Sequence, residues 1–276
     1  LRMAPEDSTL AVFYQPYGAE SDETRKLEYF MLVPTWADIV RDFGADSGFR
    51  NEARYRKYHK STWHYDDTFW KQVSGKVETL SGFPEGGLGV TKLKEFDAVI
   101  RDAAARNADK AVAIAWLMHI GGDIHQPLHT SARVTETEPK GDQGGNLFHL
   151  TPQGTPRDQQ VNLHWFWDSI VGRNIAIKPG MCEREYISML GDRMIKKHPF
   201  ASVQATLNLG RYEDWQKESF AYNNTIVFSP DLTRGRMPTE QYKKNAFKLA
   251  ERQLALAGYR LGETLNAVFN VPPPAK

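Results

Sequence analysis

The 276-residue chain has a single cysteine, Cys182. No intramolecular disulfide can staple the fold, and no thiolate cluster can bind a metal. It contains no apolar run of about 18 residues, which excludes a transmembrane helix. The opening Leu1-Arg2-Met3-Ala4-Pro5 lacks the apolar core of a signal peptide. There is no charge surplus either: 35 Lys and Arg against 34 Asp and Glu leave +1, unlike a protein that grips long duplex nucleic acid. Histidine is scarce, with 8 in the chain. What is present is ordinary for a globular protein, 41% hydrophobic and 25% charged, and the length suffices for a sizeable core.

Apolar spacing predicts helices over 20–33, from Pro34-Thr35 through Phe43, and over 92–106, 109–126, 162–171, 182–196 and 211–226. The longest spans 239–269, with Phe247, Leu254, Leu261, Leu265 and Phe269 among its apolar positions. Residues 44–89, rich in Gly, Trp and Tyr, read as a long ordered loop with short helices. Residues 130–160 are polar, with Asn146-Leu147-Phe148-His149-Leu150 a short strand. No repeat or low-complexity linker divides the chain, so the expectation is one all-α domain over 1–276 with long ordered loops.

Three of the scarce histidines fall in "HIGGDIHQPLH", residues 119–129. His119 and Asp123 are four apart, which on a helix stacks them on one face about 5–6 Å apart at Cβ. The preceding "AVAIAWLM" is apolar on nearly all sides, so the pair is expected to be buried, where a carboxylate and an imidazole need a partner. A metal is one such partner; a plain His–Asp hydrogen bond is another. Gly121 and Gly122 weaken the helix, which implies close approach by a ligand or by another helix. Pro127 ends the helix and puts His129 on the exit turn. His125 lies about 120–160° away around the helix and reads as a core or supporting residue. "NLHWFWD" repeats the spacing with His164 and Asp168. Two such pairs plus His129 suit Zn²⁺ in an open site built from imidazole and carboxylate. Asp38, three residues after Thr35 in "PTWADIV", is either another ligand or part of a helix-capping pattern. His64, in "TWHYDD", is either a ligand or a packed loop histidine.

Together "TWAD", "WHY", "HIGGDIHQPLH", "GGN" and "NLHWFWD" resemble the zinc-dependent single-strand-specific nucleases and 3′-nucleotidases of the S1/P1 type, in that family's order and at similar intervals. The tail "AERQLALAGYRLGETLNAVF" is similar to its closing helix, so the resemblance covers residues 36–269. It implies the helical zinc phospholipase C type of fold. It implies that Asp38, His64, His119 and Asp123 bind one zinc, and His129, His164 and Asp168 a second. A third zinc would share Asp123 and take a Trp and a His near the family's N-terminus. This chain begins at Leu1 and has no histidine before His59, so the expectation is a chain lacking the family's first helix, with two readable zinc sites of the family's three; the alternative is a true variant with two zincs or a substitute ligand.

The implied activity is hydrolysis of single-stranded DNA and RNA, and of 3′-nucleotides, with 5′-phosphorylated polymer products. Asp38 and Asp123 would handle the water, and Arg41 the charge on phosphorus. Tyr65 would stack a base, Asp67 accept hydrogen bonds from its edge, and Asn146 support the site. The resemblance further implies a secreted or periplasmic monomer without membrane or stable protein partners. The rivals are a zinc phospholipase C-like phosphodiesterase, against which Asp168 in place of Glu and the "HYDD" loop argue, and a two-zinc domain with little activity.

Overall fold

Helices dominate the computed structural model, which describes residues 1, 3–10, 21–41, 52–84 and 86–270. In chain order they are α1 (Asp22–Leu32), α2 (Trp36–Ile39), α3 (Glu52–Tyr58), α4 (Gly89–Arg101), α5 (Asn107–Asp123), α6 (Leu163–Asp168), α7 (Ile170–Asn174), α8 (Glu183–Lys197), α9 (Phe200–Val203), α10 (Tyr212–Ala221) and α11 (Glu240–Phe269). Three short strands, β1 (Thr68–Val73), β2 (Lys76–Thr79) and β3 (Ser131–Arg133), form one sheet in the order β2-β1-β3. Among the described residues no helix is long and apolar enough to cross a membrane.

The long closing helix starts where Thr239 accepts the Tyr242 N–H at 3.1 Å, and stops at Asn270, whose left-handed φ of 52° ends the ladder. Packed against it and against α4, α5 is apolar all round because it is central: Ala115, Trp116, Leu117 and Ile120 are buried. Its Gly121 explains itself by packing, since a Cβ there would sit 2.5 Å from Leu261 of α11. Trp36, Trp116, Leu117, Ile120 and Trp215 share one core cluster. Trp70, Leu163, Phe166, Trp167 and Tyr242 form a second. The last turn of α5 belongs to the first cluster and α6 to the second, so the two His–Asp pairs meet where the clusters adjoin.

Several local expectations need correction. The stretch read as loop contains the β1–β2 hairpin, turned by Ser74 and Gly75 at φ 50° and 78°, with Val73 opposite Lys76. Residues 146–150 are not a strand; they supply one isolated bridge, His149 to Asn162, because Gly144 and Gly145 at φ 60° and 78° turn the chain just before. Helix α4 ends at Arg101 rather than 106, since Asp102 is extended (ψ 115°) and its side chain accepts the Ala104 N–H. The helix over 162–171 breaks at Ser169 into α6 and α7, and that over 211–226 passes into a π-turn at Asn223–Val227. Glu20 and Phe43 lie outside the described residues.

Candidate metal centre

The capping alternative for Asp38 is absent: the Thr35 hydroxyl donates back to the Leu32 carbonyl and does not cap α2. Asp38, half exposed on α2, instead meets the end of α5. His64 arrives from the short 3₁₀ turn Ser61–Trp63, with Nδ1 3.8 Å from Asp38 Oδ1 and 2.8 Å from His119 Nε2. Ligand atoms of Asp38, His64 and His119 all lie within 4.8 Å of one another, and those of His129, His164 and Asp168 do the same. In the second group His164 Nε2 is 3.4 Å from Asp168 Oδ2, and His129 Nε2 is 3.6 Å from Oδ1. Asp123 Oδ2 stands between the groups, 3.0 Å from His119 Nε2, 3.5 Å from His64 Nδ1 and 3.8 Å from His129 Nδ1. Both groups open into one cleft of about 1240 Å³.

Main-chain carbonyls orient the rings. His119 Nδ1 donates to Pro34 O at 2.7 Å, His129 Nδ1 to His64 O at 2.8 Å, and His164 Nδ1 to Gly144 O at 2.8 Å. Each bond leaves the Nε2 lone pair facing the cleft, as metal-ligating imidazoles require. The Gly144 carbonyl can be there because a Cβ at that residue would lie 2.5 Å from Leu128 O. Gln126 donates to Asp168 Oδ1 at 2.9 Å, and Asn162 caps α6 by accepting the Trp165 N–H at 2.7 Å.

The donor set fits divalent cations. Asp123 Oδ2 and His64 Nε2 are buried without hydrogen-bond partners. The His119 Nε2 and His64 Nδ1 nitrogens face each other and need a proton or a cation between them. Burial alone would raise the Asp123 pKa, but His119 and His129 outweigh it and hold the carboxyl well below the carboxylate range. Burial likewise opposes charge on His129, yet Asp123 and Asp168 push it up to about 10. Burial, then His129, pushes His164 down. Without metal such a cluster keeps a proton on an imidazole; a cation takes that proton's place.

His125 is not among the groups. Its Nδ1 donates to Gly121 O at 2.7 Å and its Nε2 accepts from Arg260 Nη1 at 2.8 Å, a pairing that fixes a neutral ring. Burial, then the Arg260 charge, pushes it down to about 3.

The other expected residues are placed less uniformly. Arg41 lines the cleft, exposed, 4.0 Å from Asp38. Tyr65 and Asp67 line it on the side of β1. Burial pushes the Asp67 carboxyl up to about 8, and its Oδ1 has no hydrogen-bond partner. Asn146 is exposed; its Nδ2 donates to Gln143 O, and its Oδ1 accepts from Asn162, so it reaches the groups through the α6 cap. Gln126 escaped the sequence reading, although it sits inside "HQPLH".

A helical chain carrying two His/Asp groups in one cleft is matched by one family model, described as S1/P1 Nuclease, over residues 14–270. The chain belongs to the S1/P1 nuclease family and has its helical, zinc phospholipase C-like fold. Among similar proteins, Endonuclease 4 of Arabidopsis thaliana is 28% identical over 197 residues, 62% of this chain and 57% of its own length. Endonuclease 3 of the same plant is 31% identical over 57% of this chain and 51% of its own length. The chain thus spans about half the length of these plant endonucleases. Nuclease S1 of Aspergillus oryzae is 25% identical over 285 residues, 96% of this chain and 90% of its own length.

Proposed function

We propose that the protein is a zinc-dependent hydrolase. It cleaves phosphodiester bonds in single-stranded DNA and RNA, leaving 5′-phosphates, and removes phosphate from 3′-nucleotides. The observation that carries the reading is the pair of His/Asp groups flanking Asp123 in one cleft. Asp38, His64, His119 and Asp123 would hold one zinc, and His129, His164 and Asp168 another. Bound zinc supplies Lewis acidity toward phosphate oxygens and makes water a nucleophile near neutral pH.

The remaining work falls to the chain. Asp38, half exposed at the cleft edge, orients the attacking water and accepts its proton, while Asp123, between the two groups, keeps its charge and helps hold the water in place. The Arg41 guanidinium beside Asp38 stabilises charge building on the phosphoryl oxygens. Tyr65 offers a stacking face that any base can use once it leaves a duplex, which selects single strands. Asp67, at the same wall, pairs with the base edge. Asn146 steadies the cap of α6. The protein acts outside the cytoplasm as a monomer.

The test is elemental analysis of dialysed 276-residue protein together with assays on single-stranded DNA, duplex DNA and a phosphatidylcholine emulsion. About two zincs per chain, with preferential cleavage of the single strand that a chelator abolishes, is the expected result. Hydrolysis of the lipid instead, or bound zinc with no hydrolysis of any substrate, would refute the assignment.

A further inference from the structure

We propose that Gln216, on α10, is a positioning residue that sets the separation of the two metal groups. The inference rests on the reading of those groups as zinc ligands. The two segments bearing His64 and His129 lie side by side. His129 Nδ1 donates to His64 O at 2.8 Å, and Asp66 N donates to His129 O at 2.9 Å. Further on, the same segments become the parallel pairing of β1 with β3, Thr68 opposite Ser131. A ligand of one group is thereby hydrogen-bonded to the main chain of a ligand of the other. Any slip between the segments changes the distance between the groups.

Between these bonds and the β pairing, the Asp66 and Thr130 carbonyls are turned toward α10. Gln216, only 7% exposed, meets both with one amide nitrogen: Nε2 is 3.0 Å from Asp66 O, 3.4 Å from Thr130 O and 3.0 Å from Thr68 Oγ1. Neighbouring buried amides act differently. Asn223 donates to Pro127 O at 2.9 Å and Gln253 to His125 O at 3.2 Å, both in the His129 segment. Gln216 donates into both segments. The chemistry demands an uncharged donor there: Glu would aim a carboxylate at three oxygens, and Lys would bury an ammonium. Asn is one methylene too short to span the two carbonyls.

The experiment is a zinc competition titration against a chromophoric chelator on the 276-residue chain and its Gln216→Ala and Gln216→Asn variants. Cobalt(II) absorption spectra of each report ligand geometry. Asn224→Ala, which removes an exposed amide bound to Gly75 O and Gln72, serves as the matched control. Loss of a group bonded directly to a metal ligand typically weakens the site by roughly 10–100-fold, and Gln216 acts one residue further out, so the low end of that range, roughly tenfold, applies. Gln216→Ala is expected to weaken both ions on that scale and to alter the cobalt spectrum. Gln216→Asn, the milder change should the alanine variant not fold, is expected to do the same to a smaller degree. Wild-type affinities and spectrum in the folded variants, with only the melting temperature lowered, would overturn the proposal. So would weakening of one ion alone. A wild-type chain that binds no zinc would overturn the metal reading itself and this inference with it.

Discussion

Replacing Arg260 by Met probes the polar core that backs the metal groups. Arg260 is wholly buried. It donates to His125 Nε2 at 2.8 Å, Leu207 O at 3.0 Å, Thr206 O at 2.8 Å and Glu218 Oε2 at 2.7 Å, with its guanidinium 5.2 Å from the Trp215 ring. The four acceptors do not suffer equally when it goes. Leu207 O keeps the Trp215 indole N–H at 2.9 Å. Thr206 is exposed and can turn to water, and Glu218 retains Arg252 at 3.5 Å. His125, 2% exposed, keeps no donor on Nε2. One stranded buried acceptor costs about 1–3 kcal/mol. The half-relieved Glu218 adds to that, while a fully broken buried pair would reach about 3–5 kcal/mol. Met preserves the apolar stem, so the expected loss is about 3 kcal/mol at the overlap of those ranges. At about 2–4 °C per kcal/mol for a chain of this size, the melting temperature falls by about 6–12 °C. Urea unfolding and thermal melts followed by circular dichroism measure both quantities. A loss under about 1 kcal/mol would show that the four hydrogen bonds contribute no more than water would, and the reasoning would fail.

Three further outcomes are expected. His125 is held near pKa 3 when folded and lies near ~6.5 when unfolded. Between those values the unfolded chain binds a proton that the folded chain refuses, so stability rises with pH by about 1.4 kcal/mol per unit and is lost as pH falls. The difference in slope between wild type and His125→Asn, from urea melts at pH ~4 to ~6, isolates this group; equal slopes contradict it. Gly144→Ala places a Cβ 2.5 Å from Leu128 O at a φ of +60°, a conformation that costs about 1–2 kcal/mol before the clash is counted. It also shifts the carbonyl that orients His164, so a lower melting temperature and weaker metal binding by the His129, His164 and Asp168 group should appear together in a melt and a chelator titration. Zinc content is expected to fall as pH drops below ~5, because imidazoles must be neutral to bind; elemental analysis after dialysis that finds full content near pH ~3.5 would contradict this coupling.

Much of the fold was legible because its signals are local. The 3.6-residue period of α11 runs for many turns behind the Thr239 cap, and α5 shows its centrality by being apolar on all sides. The His119–Asp123 and His164–Asp168 pairs were readable for the same reason, since helical spacing alone stacks them. The β1–β2 hairpin was missed although Ser74-Gly75 is a turn signal: β2 is exposed at every residue and shows no apolar alternation. Strand β3 carries three residues paired in parallel with a segment some sixty positions away, and nothing local announces such pairing. The distances among Asp38, His64 and Asp123, the Gln126–Asp168 bond and the burial of Asp67 all depend on segments that meet only in the folded chain.

The partners of the three rings that donate Nδ1–H have a consequence for ionic strength. His119, His129 and His164 donate to neutral peptide carbonyls, not to carboxylates, so these rings are oriented without adding negative charge. Asp38, Asp123 and Asp168 are then the anions of the two groups, three charges against the four that a pair of dications brings. A centre holding two dications would be left with one surplus positive charge while its bound water keeps both protons. On the function proposed above, it would attract a polyanionic strand before any base is stacked, although the protein as a whole is nearly neutral. Added salt should raise KM by screening that attraction while leaving kcat nearly constant.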